Sequence, residues 1–410
     1  MKVLQINSVC GRGSTGRIAT DLADVLAAHG HTCRIAYGRD TAPERYRGTA
    51  VRIGGDRDVY LHGLKSLLLD AHGTGSTRAT VRAIEWIREY DPDVVHLHNV
   101  HGYYIDTRLL FRYLKEAGKP VVWTLHDCWA FTGHCSNFTA AGCEQWKTRC
   151  VHCAQRRSYP ASLFLDRSGR NFQSKQGSFT GLPNVTLVTP SDWLAGLVRQ
   201  SFLKRYPVEA IPNGIDLDVF KPTPSDFRER HGLVGKQILL GVANVWPSSK
   251  GLDDFIQLSS MLTDEQKIVL VGLSEKQIRT LPEGILGIRR TDSVQGLAEI
   301  YSAADVFVNP THEDNFPTTN LEALACGTPV ITYRTGGSPE ALDESCGAVV
   351  SEGAGNILSA LSALQVPPDA CVRRAARFEK KAQFEKYLQL YESVMKRPLR
   401  GSPKVVSTEC

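Results

Sequence analysis

Short apolar runs alternate with amphipathic stretches along most of the chain, and this alternation predicts the fold. An apolar run bounded by turn residues is typical of a buried parallel strand, and an amphipathic stretch at helical spacing is typical of the helix between two such strands. The predicted strands form two sets, at 3–6, 34–37, 94–97, 121–125 and 185–189, and at 237–242, 267–271, 306–308, 329–332 and 348–350. The pattern therefore predicts an α/β protein with two doubly wound units.

Two interruptions of this rhythm predict the domain organisation. Residues 128–181 are rich in Cys, His, Arg, Ser and aromatic side chains and form a predicted insertion, whereas residues 207–224 separate the two sets of strands. We expect an N-terminal Rossmann-like domain at 1–206, a C-terminal Rossmann-like domain at 207–373, a C-terminal helix at 374–399 that packs back on the N-terminal domain, and a disordered tail at 400–410.

Composition and charge narrow the class of protein. The chain is 42% hydrophobic and 22% charged, and its net charge of +5 is too small to predict a nucleic-acid partner, although it suits an anionic substrate or membrane surface. No apolar run approaches the roughly 18 residues of a spanning helix, and the N-terminus turns polar too early for a secretory signal. We expect a cytoplasmic protein, peripheral on the inner face of the plasma membrane if residues 57–69 form an interfacial helix rather than a core helix.

The first loop spells G-x-G-x-x-G with Gly11, Gly13 and Gly16, between a predicted strand and a predicted helix. In that context the pattern is typical of a dinucleotide-binding turn, which also needs an acid at the end of the second strand. Here that strand ends at Arg39, and Asp40 comes late. An NAD(P)-binding oxidoreductase is therefore a minor alternative, and we expect the turn to face an anion at the helix N-terminus.

Three patterns in the second half follow predicted strands in a fixed order. They are Ile-Pro-Asn-Gly-Ile-Asp at 211–216, Lys250-Gly251 at a helix start, and Glu-Asp-Asn-Phe-Pro-Thr-Thr-Asn-Leu-Glu at 313–322. Each alone has a structural explanation, such as a turn or a complement to the helix dipole. Together with the glycine turn, Thr-Leu-His-Asp at 124–127 and Thr-Pro-Ser-Asp-Trp at 189–193, they make nearly the whole chain resemble retaining glycosyltransferases of the GT4 family.

The resemblance implies the GT-B fold and a role for individual residues. Lys250 would stabilise the negative charge of a departing diphosphate, Glu322 would bind ribose hydroxyls, and His126 would contact the transferred sugar. The family's usual acidic pair is E-x7-E; spacing favours Asp314 over Glu313 as the first acid and leaves both open. The catalytic set is thus His126, Lys250, Asp314 and Glu322, and the further donor-binding residues are Gly13, Gly16, Asn213, Asn244, Glu313, Asn315 and Phe316.

The implied function is transfer of a sugar from a nucleotide-sugar donor, UDP-linked rather than GDP-linked, to a saccharide or lipid-linked saccharide in cell-surface polysaccharide synthesis. A UDP-sugar 2-epimerase of the same fold is the main alternative. No cofactor is expected for catalysis, and the three D-x-D triplets at 56–58, 91–93 and 216–218 are interpreted as structural rather than as a donor-bound metal site. Substrate identity is not encoded in these motifs, because a few pocket contacts decide it.

Two clusters in the N-terminal half need separate interpretation. His98, Asn99, His101 and Asp127 follow strands and are expected to line the acceptor side of the site rather than to bind a metal. Cys135, Cys143, Cys150 and Cys153 have the spacing C-x7-C-x6-C-x2-C inside the insertion. This spacing predicts a closed, structural zinc site, with free thiols or a disulfide as alternatives.

Overall fold

The computed structural model describes residues 1–397, and two parallel sheets organise them. The first sheet has seven strands in the order β3-β2-β1-β4-β5-β6-β7, namely β1 Lys2–Asn7, β2 Thr32–Tyr37, β3 Ala50–Arg52, β4 Val94–Leu97, β5 Val121–Thr124, β6 Val185–Thr189 and β7 Val208–Ala210. The second has six in the order β10-β9-β8-β11-β12-β13, namely β8 Gln237–Val242, β9 Gln266–Val271, β10 Ile285–Ile288, β11 Val306–Asn309, β12 Val330–Tyr333 and β13 Gly347–Val350. The predicted fold of two parallel-sheet α/β domains is confirmed.

Helices connect the strands in both halves of the chain. In the first half they are α1 Gly13–Ala28, α2 Asp56–Leu69, α3 Thr77–Tyr90, α4 Thr107–Ala117, α5 Ser168–Phe179 and α6 Asp192–Val198. In the second half they are α7 Phe227–Arg230, α8 Leu252–Ser259, α9 Glu275–Ile278, α10 Val294–Ala303, α11 Thr318–Ala325, α12 Ala354–Ala363, α13 Pro368–Ala376 and α14 Lys380–Lys396. No helix of residues 1–397 combines the length and the apolarity that crossing a membrane requires.

The strand order places a topological switch point in each sheet. In the first sheet the chain passes outward from β1 through β2 and then continues from β4 on the other side of β1. In the second sheet β8 and β11 are the corresponding neighbours. Ligands of open α/β sheets bind outside the carboxyl ends of the strands at such points. We therefore expect a ligand site at the loops after β1 and β4 in the first sheet and after β8 and β11 in the second.

Residue contacts divide the chain into two units. The first contains 1–190, 194–211 and the described residues from 384 on, and the second contains 191–193 and 212–383. Phe384, Tyr387 and Tyr391 of α14 pack in the same apolar core as Val3 of β1. The tail predicted at 400–410 lies outside the described residues.

The C-terminal segment that the sequence predicts as one helix forms two helices in the structure. The continuous C-terminal helix expected from residue 374 onward is broken between α13 and α14, because the backbone there pairs with Ile215. The Ile215 amide donates to the Phe378 carbonyl at 2.8 Å, and the Lys380 amide donates to the Ile215 carbonyl at 2.9 Å. Amphipathic spacing continues across the break, so the sequence pattern alone does not reveal it.

The three D-x-D triplets carry structural contacts. Asp58 accepts a hydrogen bond from the Gly55 amide at 2.9 Å and so caps α2. Asp93 accepts from the Lys2 amide at 2.7 Å at the start of the first sheet. Asp216 forms an ion pair with Lys380 at 2.6 Å.

Candidate active site

A lysine and a carboxylate meet at the switch point of the second sheet. Lys250 follows β8 in a short turn, and Asp314 lies in the loop after β11. Lys250 Nζ is 2.5 Å from Asp314 Oδ2, and the two side chains are 33% and 17% exposed. The ammonium is therefore held by an acid and still reaches solvent.

Backbone contacts fix the two loops to each other. The carbonyl of Ser249 accepts hydrogen bonds from the His312 amide at 2.9 Å and from Thr311 Oγ1 at 3.3 Å. Gly251 has a φ of +75°, and a Cβ there would lie 2.3 Å from the carbonyl oxygen of Pro310. The glycine after Lys250 is thus required by both conformation and space.

A charged network braces the loop after β11. His312 Nε2 is 2.8 Å from Asp254 of α8, and its Nδ1 is 3.2 Å from Glu352. Asp254 also accepts a hydrogen bond from the Tyr333 hydroxyl at 2.6 Å. Burial alone lowers the pKa of His312, but the two carboxylates outweigh it and raise that pKa.

The two candidate acids differ in their contacts. Besides its ion pair, Asp314 accepts a hydrogen bond from the Asn315 amide at 2.8 Å, and a Cβ on Gly336 would lie 1.8 Å from the Asp314 carbonyl oxygen. The Glu313 carbonyl accepts from Thr311 Oγ1 at 3.0 Å. Asp314 is therefore the acid that pairs with Lys250, whereas its choice over Glu313 as the first acid of the family's pair stays a prediction.

Glu322 lies in the middle of α11 and is 9% exposed. Its carboxylate accepts a hydrogen bond from the buried Tyr301 hydroxyl at 3.0 Å and a weak one from Thr318 at 3.5 Å. Burial and then the neighbouring carboxylate raise the pKa of Tyr301 well above its usual value, so Tyr301 stays a donor. The phenol thus orients the carboxylate from the inner side of α11.

The other predicted donor residues divide by exposure. Asn244 is exposed in the loop after β8, whereas Asn213 is half-buried and donates to the Phe316 carbonyl at 3.3 Å. The Phe316 ring is buried against Phe378, so it offers a ligand only its backbone. Asn315 Oδ1 accepts from the buried Ser191 hydroxyl at 2.8 Å. Sequence reasoning did not single out Tyr301 or His312, whose partners are distant in the chain, and it named Ser191 only as part of the motif at 189–193.

The glycine turn of the first unit lies between β1 and α1. Gly13 begins α1 with a φ of +61°, and the Gly11 amide donates to the Gly16 carbonyl at 3.0 Å. A Cβ on Gly16 would lie 3.0 Å from a methyl carbon of Val9, so the turn is closely packed there. Backbone amides at this helix start are suited to an anion.

His98, predicted to lie on the acceptor side, and His126, predicted to contact the sugar, are in contact with each other. His98 is 1% exposed, His126 is half-buried, and His98 Nδ1 lies 3.1 Å from His126 Nε2. His98 Nε2 is 2.9 Å from Gln5 Oε1, so His98 can affect a ligand only through His126. Burial holds the pKa of His126 down at about 4 and that of His98 well below its usual value, and both rings are neutral near pH 7.

Asp127 and His101 form a second pair next to these rings. His101 Nε2 is 2.8 Å from Asp127 Oδ2, although the two atoms are not aligned as a hydrogen bond. Asp127 also accepts from the Trp129 amide at 2.9 Å, and the Tyr159 hydroxyl is 3.1 Å from His101 Nδ1. Burial by itself raises the pKa of Asp127, but His101 and the Trp129 amide outweigh burial, so the pKa lies below its usual value. Asn99 is half-buried, and its backbone amide donates to Asn7 Oδ1 at 3.3 Å.

The four cysteines of the predicted zinc site, Cys135, Cys143, Cys150 and Cys153, are free thiols. Cys135 donates to Cys153, which lowers the pKa of Cys153 to about 7, and the Gly133 amide donates to Cys150 Sγ at 3.2 Å. Cys143 is half-buried. Within residues 1–397 no group of three or more His, Cys, Asp or Glu side chains is arranged to hold a metal ion.

Comparison with solved structures identifies the class of fold. Sucrose-phosphate synthase from Thermosynechococcus elongatus superposes with a TM-score of 0.69 at 17% identity, over 96% of this chain and 99% of that one. HepE from Anabaena, in complex with UDP, superposes with a TM-score of 0.65 at 15% identity, over 96% and 100%. At these identities the likeness establishes the GT-B fold and nothing finer.

Family models identify the family. The model described as Glycosyltransferase Family 4 matches residues 15–219, half of the chain, and the model described as Glycosyl transferases group 1 matches residues 236–365. The chain belongs to glycosyltransferase family 4. It is 26% identical to the putative colanic acid biosynthesis glycosyl transferase WcaC of Escherichia coli K12, over 86% of this chain and 88% of that protein.

Proposed function

We propose that the protein transfers a sugar, with retention of anomeric configuration, from a UDP-linked donor to a saccharide or lipid-linked saccharide acceptor in cell-surface polysaccharide synthesis. The observation that carries this proposal is the pairing of Lys250 with Asp314 at the switch point of the second sheet, in loops that glycines hold in place. HepE, of the same fold, was solved with UDP and with UDP-glucose, which supports a uridine nucleotide over a guanine nucleotide. The WcaC relative supports polysaccharide synthesis.

Donor binding rests on three side chains of the second unit. The diphosphate oxygens accept hydrogen bonds from Lys250. The ammonium stabilises the negative charge that grows on the diphosphate as its bond to the sugar breaks. Glu322, oriented by Tyr301, accepts from the ribose hydroxyls in a bidentate contact. When the donor binds, Lys250 exchanges its contact with Asp314 for one with the phosphates, and Asp314 then accepts a hydrogen bond from a hydroxyl of the sugar.

Retention follows if the acceptor attacks from the face that the diphosphate leaves. The bond between the anomeric carbon and the diphosphate oxygen breaks, and the acceptor oxygen bonds to the same carbon on the same face. The acceptor proton passes to the departing phosphate oxygen, so no side chain is required as a general base. His126, neutral because of burial, contacts the sugar as a hydrogen-bonding group and not as a base.

A membrane surface fits the outer face of α2. The usual distribution of polar and apolar side chains is reversed in this helix: the polar His62 and Ser66 are buried, whereas Tyr60 and Leu61 are 70% and 62% exposed. The backbone of the insertion joins the same surface, since the Leu163 amide donates to the Leu67 carbonyl at 2.9 Å, and the next side chain, Phe164, is 70% exposed. Two arginines supply the positive charge that anionic lipid requires: Arg57 is exposed in the first turn of α2, and Arg156 donates to the Phe164 carbonyl at 3.4 Å.

Vesicle binding tests this surface. The pair Tyr60→Ser and Leu61→Ser is expected to lower co-sedimentation with phosphatidylglycerol vesicles at least severalfold, whereas Val81→Ser, on the exposed side of α3, is expected to leave it unchanged. Equal co-sedimentation of the two variants would reject the membrane surface, and a loss of self-association instead would assign the patch to a protein contact.

Structural zinc in the insertion is a separate proposal, supported by the cysteine spacing and by the contact between Cys135 and Cys153. The thiols must draw together to form a ligand set, and catalysis does not use it. Protein prepared without chelators is expected to contain about one zinc per chain, as a site that contributes folding energy would. A metal content near zero would leave the cysteines as free thiols.

Thermal unfolding with a panel of nucleotides tests the donor assignment. UDP-sugars are expected to raise the melting temperature, because a ligand of the native state stabilises it by mass action. GDP-sugars, NAD and NADP are the matched controls. Stabilisation by NAD or NADP alone would make the glycine turn a dinucleotide site and overturn the proposal, and conversion of a UDP-sugar to its 2-epimer without an acceptor would replace transfer by epimerisation.

A further inference from the structure

The first unit contains a buried chain of hydrogen bonds that ends at His126. It begins at the Ala19 carbonyl of α1, which accepts from Gln5 Nε2 at 2.8 Å. Gln5 Oε1 lies 2.9 Å from His98 Nε2, and His98 Nδ1 lies 3.1 Å from His126 Nε2. Gln5 and His98 are 0% and 1% exposed, so water does not complete these contacts.

The direction of every bond in this chain follows from its first member. A backbone carbonyl only accepts, so the Gln5 nitrogen must face Ala19, and its second hydrogen points to Cys33 Sγ at 3.3 Å. Gln5 Oε1 therefore faces His98 and only accepts. Turning the amide over would set its oxygen against the carbonyl of Ala19, two acceptors with no proton between them.

The same logic passes through His98. Because Gln5 accepts, His98 Nε2 carries the proton, and a neutral His98 then has a lone pair on Nδ1. His126 Nε2 must donate to that lone pair. The other arrangement needs both nitrogens of His98 protonated, and this places an unpaired positive charge in a fully buried site where the partners of His98 are an amide oxygen and a second imidazole.

We infer that Gln5 and His98 are positioning residues that hold His126 as the neutral tautomer protonated on Nε2, so that its Nδ1 edge acts only as a hydrogen-bond acceptor. A sugar hydroxyl is a donor of the kind this edge selects, and a carbonyl or carboxylate is not. The relevance to sugar transfer rests on the proposed function, whereas the tautomer itself does not.

Histidine-labelled protein read by long-range ¹H–¹⁵N NMR measures the tautomer without substrate. In the wild type at pH 7, His126, assigned by its loss in His126→Asn, is expected to show a pyrrole-type Nε2 and a pyridine-type Nδ1. Gln5→Leu removes the acceptor that orients His98 and is expected to give an averaged or reversed pattern at His126.

Thr124→Val is the matched control within the same buried region. Thr124 Oγ1 bonds His96 at 2.8 Å and Tyr387 at 3.1 Å and makes no contact with Gln5, so this variant is expected to leave the His126 tautomer unchanged. A wild-type His126 protonated on Nδ1 would overturn the inference, even if Gln5→Leu fails to fold. So would a Gln5→Leu spectrum identical to the wild type.

Activity separates the inference from the proposed function. If transfer occurs, Gln5→Leu is expected to lower kcat/KM roughly ten- to hundredfold, as the loss of a partner that orients a functional histidine does. If no nucleotide sugar is used but His126 has the stated tautomer, the proposed function fails, whereas the role of Gln5 and His98 in fixing that tautomer stands. A normal rate of transfer in a Gln5→Leu variant whose His126 tautomer has changed would show that the reaction does not depend on the tautomer.

Discussion

The two units hold their polar groups in different ways. In the first unit His96, His98 and His126 are neutral, closely packed and joined through amides, hydroxyls and each other. In the second, Lys250 and Asp314 form a charged pair on loops that remain partly exposed. The comparison teaches that the first unit positions groups by buried hydrogen bonds, which are costly to break, whereas the second keeps charge available for a ligand.

The largest expected effect is on the stability of the first unit. Asp70 is 1% exposed and pairs with the equally buried His134 at 2.7 Å, and it also accepts from the Arg167 amide at 2.6 Å. Removing one partner of such a pair leaves a buried polar group alone, so Asp70→Ala is expected to lower the free energy of unfolding by about 3–5 kcal/mol. Chemical denaturation measures it.

An exposed acid of the second unit is the matched control for that variant. Asp226 pairs with Arg230 along α7, and the two side chains are 69% and 54% exposed. Asp226→Ala is expected to change the free energy of unfolding by less than about 1 kcal/mol. Equal effects of the two variants would remove the contrast between the units.

The second effect is on catalysis by the charged loop. Lys250→Ala is expected to lower turnover of the UDP-sugar about 10²- to 10³-fold, the cost of losing one group that stabilises developing negative charge, with little change in unfolding. Lys236→Ala removes a lysine whose Nζ bonds only the Asp264 carbonyl among the contacts found in residues 1–397, and it should keep full activity. Turnover by Lys250→Ala near the wild-type rate would contradict the donor site.

The third effect concerns recognition of the ribose by Glu322. The wild type is expected to bind UDP about tenfold more tightly than 2′-deoxy-UDP, since one charge-assisted hydrogen bond is lost. Glu322→Gln should narrow this ratio toward one, and Tyr301→Phe, which only frees the inner side of the carboxylate, should narrow it less. A ratio unchanged in Glu322→Gln would show that another group reads the ribose.

The smallest effect is a pH dependence in the second unit. The pKa of His312 is raised in the folded protein by Asp254 and Glu352, so its stabilising contribution is complete below its unfolded value and is lost as pH rises through the folded pKa. His312→Gln is therefore expected to be less stable than the wild type by about 0.5–1 kcal/mol at pH 5.5 and equal to it at pH 9. Thermal unfolding at both pH values measures the difference, and a larger deficit at pH 9 would contradict it.

The same contrast explains what the sequence predicts well. Lys250, Asp314 and Glu322 lie in short motifs next to predicted strands, so local pattern finds them. All ten predicted strands are present, whereas β3, β7 and β10, each at an edge of its sheet, were not predicted. β3 and β7 have only three residues, and the four residues of β10, Ile-Leu-Gly-Ile, include a glycine. A three-residue strand at or near a sheet edge has too few apolar positions to stand out.

Distant partnerships are what the sequence does not predict. Gln5 reads as one polar residue in an apolar strand, and nothing near it indicates that it meets His98, 93 positions later. Tyr301 has the same character, since it bonds Glu322 from another element, and the motif that contains Ser191 does not indicate that this hydroxyl donates to Asn315, 124 positions later. Their roles depend on strand order, which periodicity does not specify.

Titration of UDP into the wild type and into Lys250→Ala, side by side by calorimetry, tests the proposed donor site most directly. We predict saturable binding of one UDP per chain in the wild type and affinity at least tenfold weaker in the variant, because the diphosphate loses its cation. No binding of UDP to the wild type, or equal affinities for the two proteins, would contradict a nucleotide-sugar site at the switch point of the second sheet.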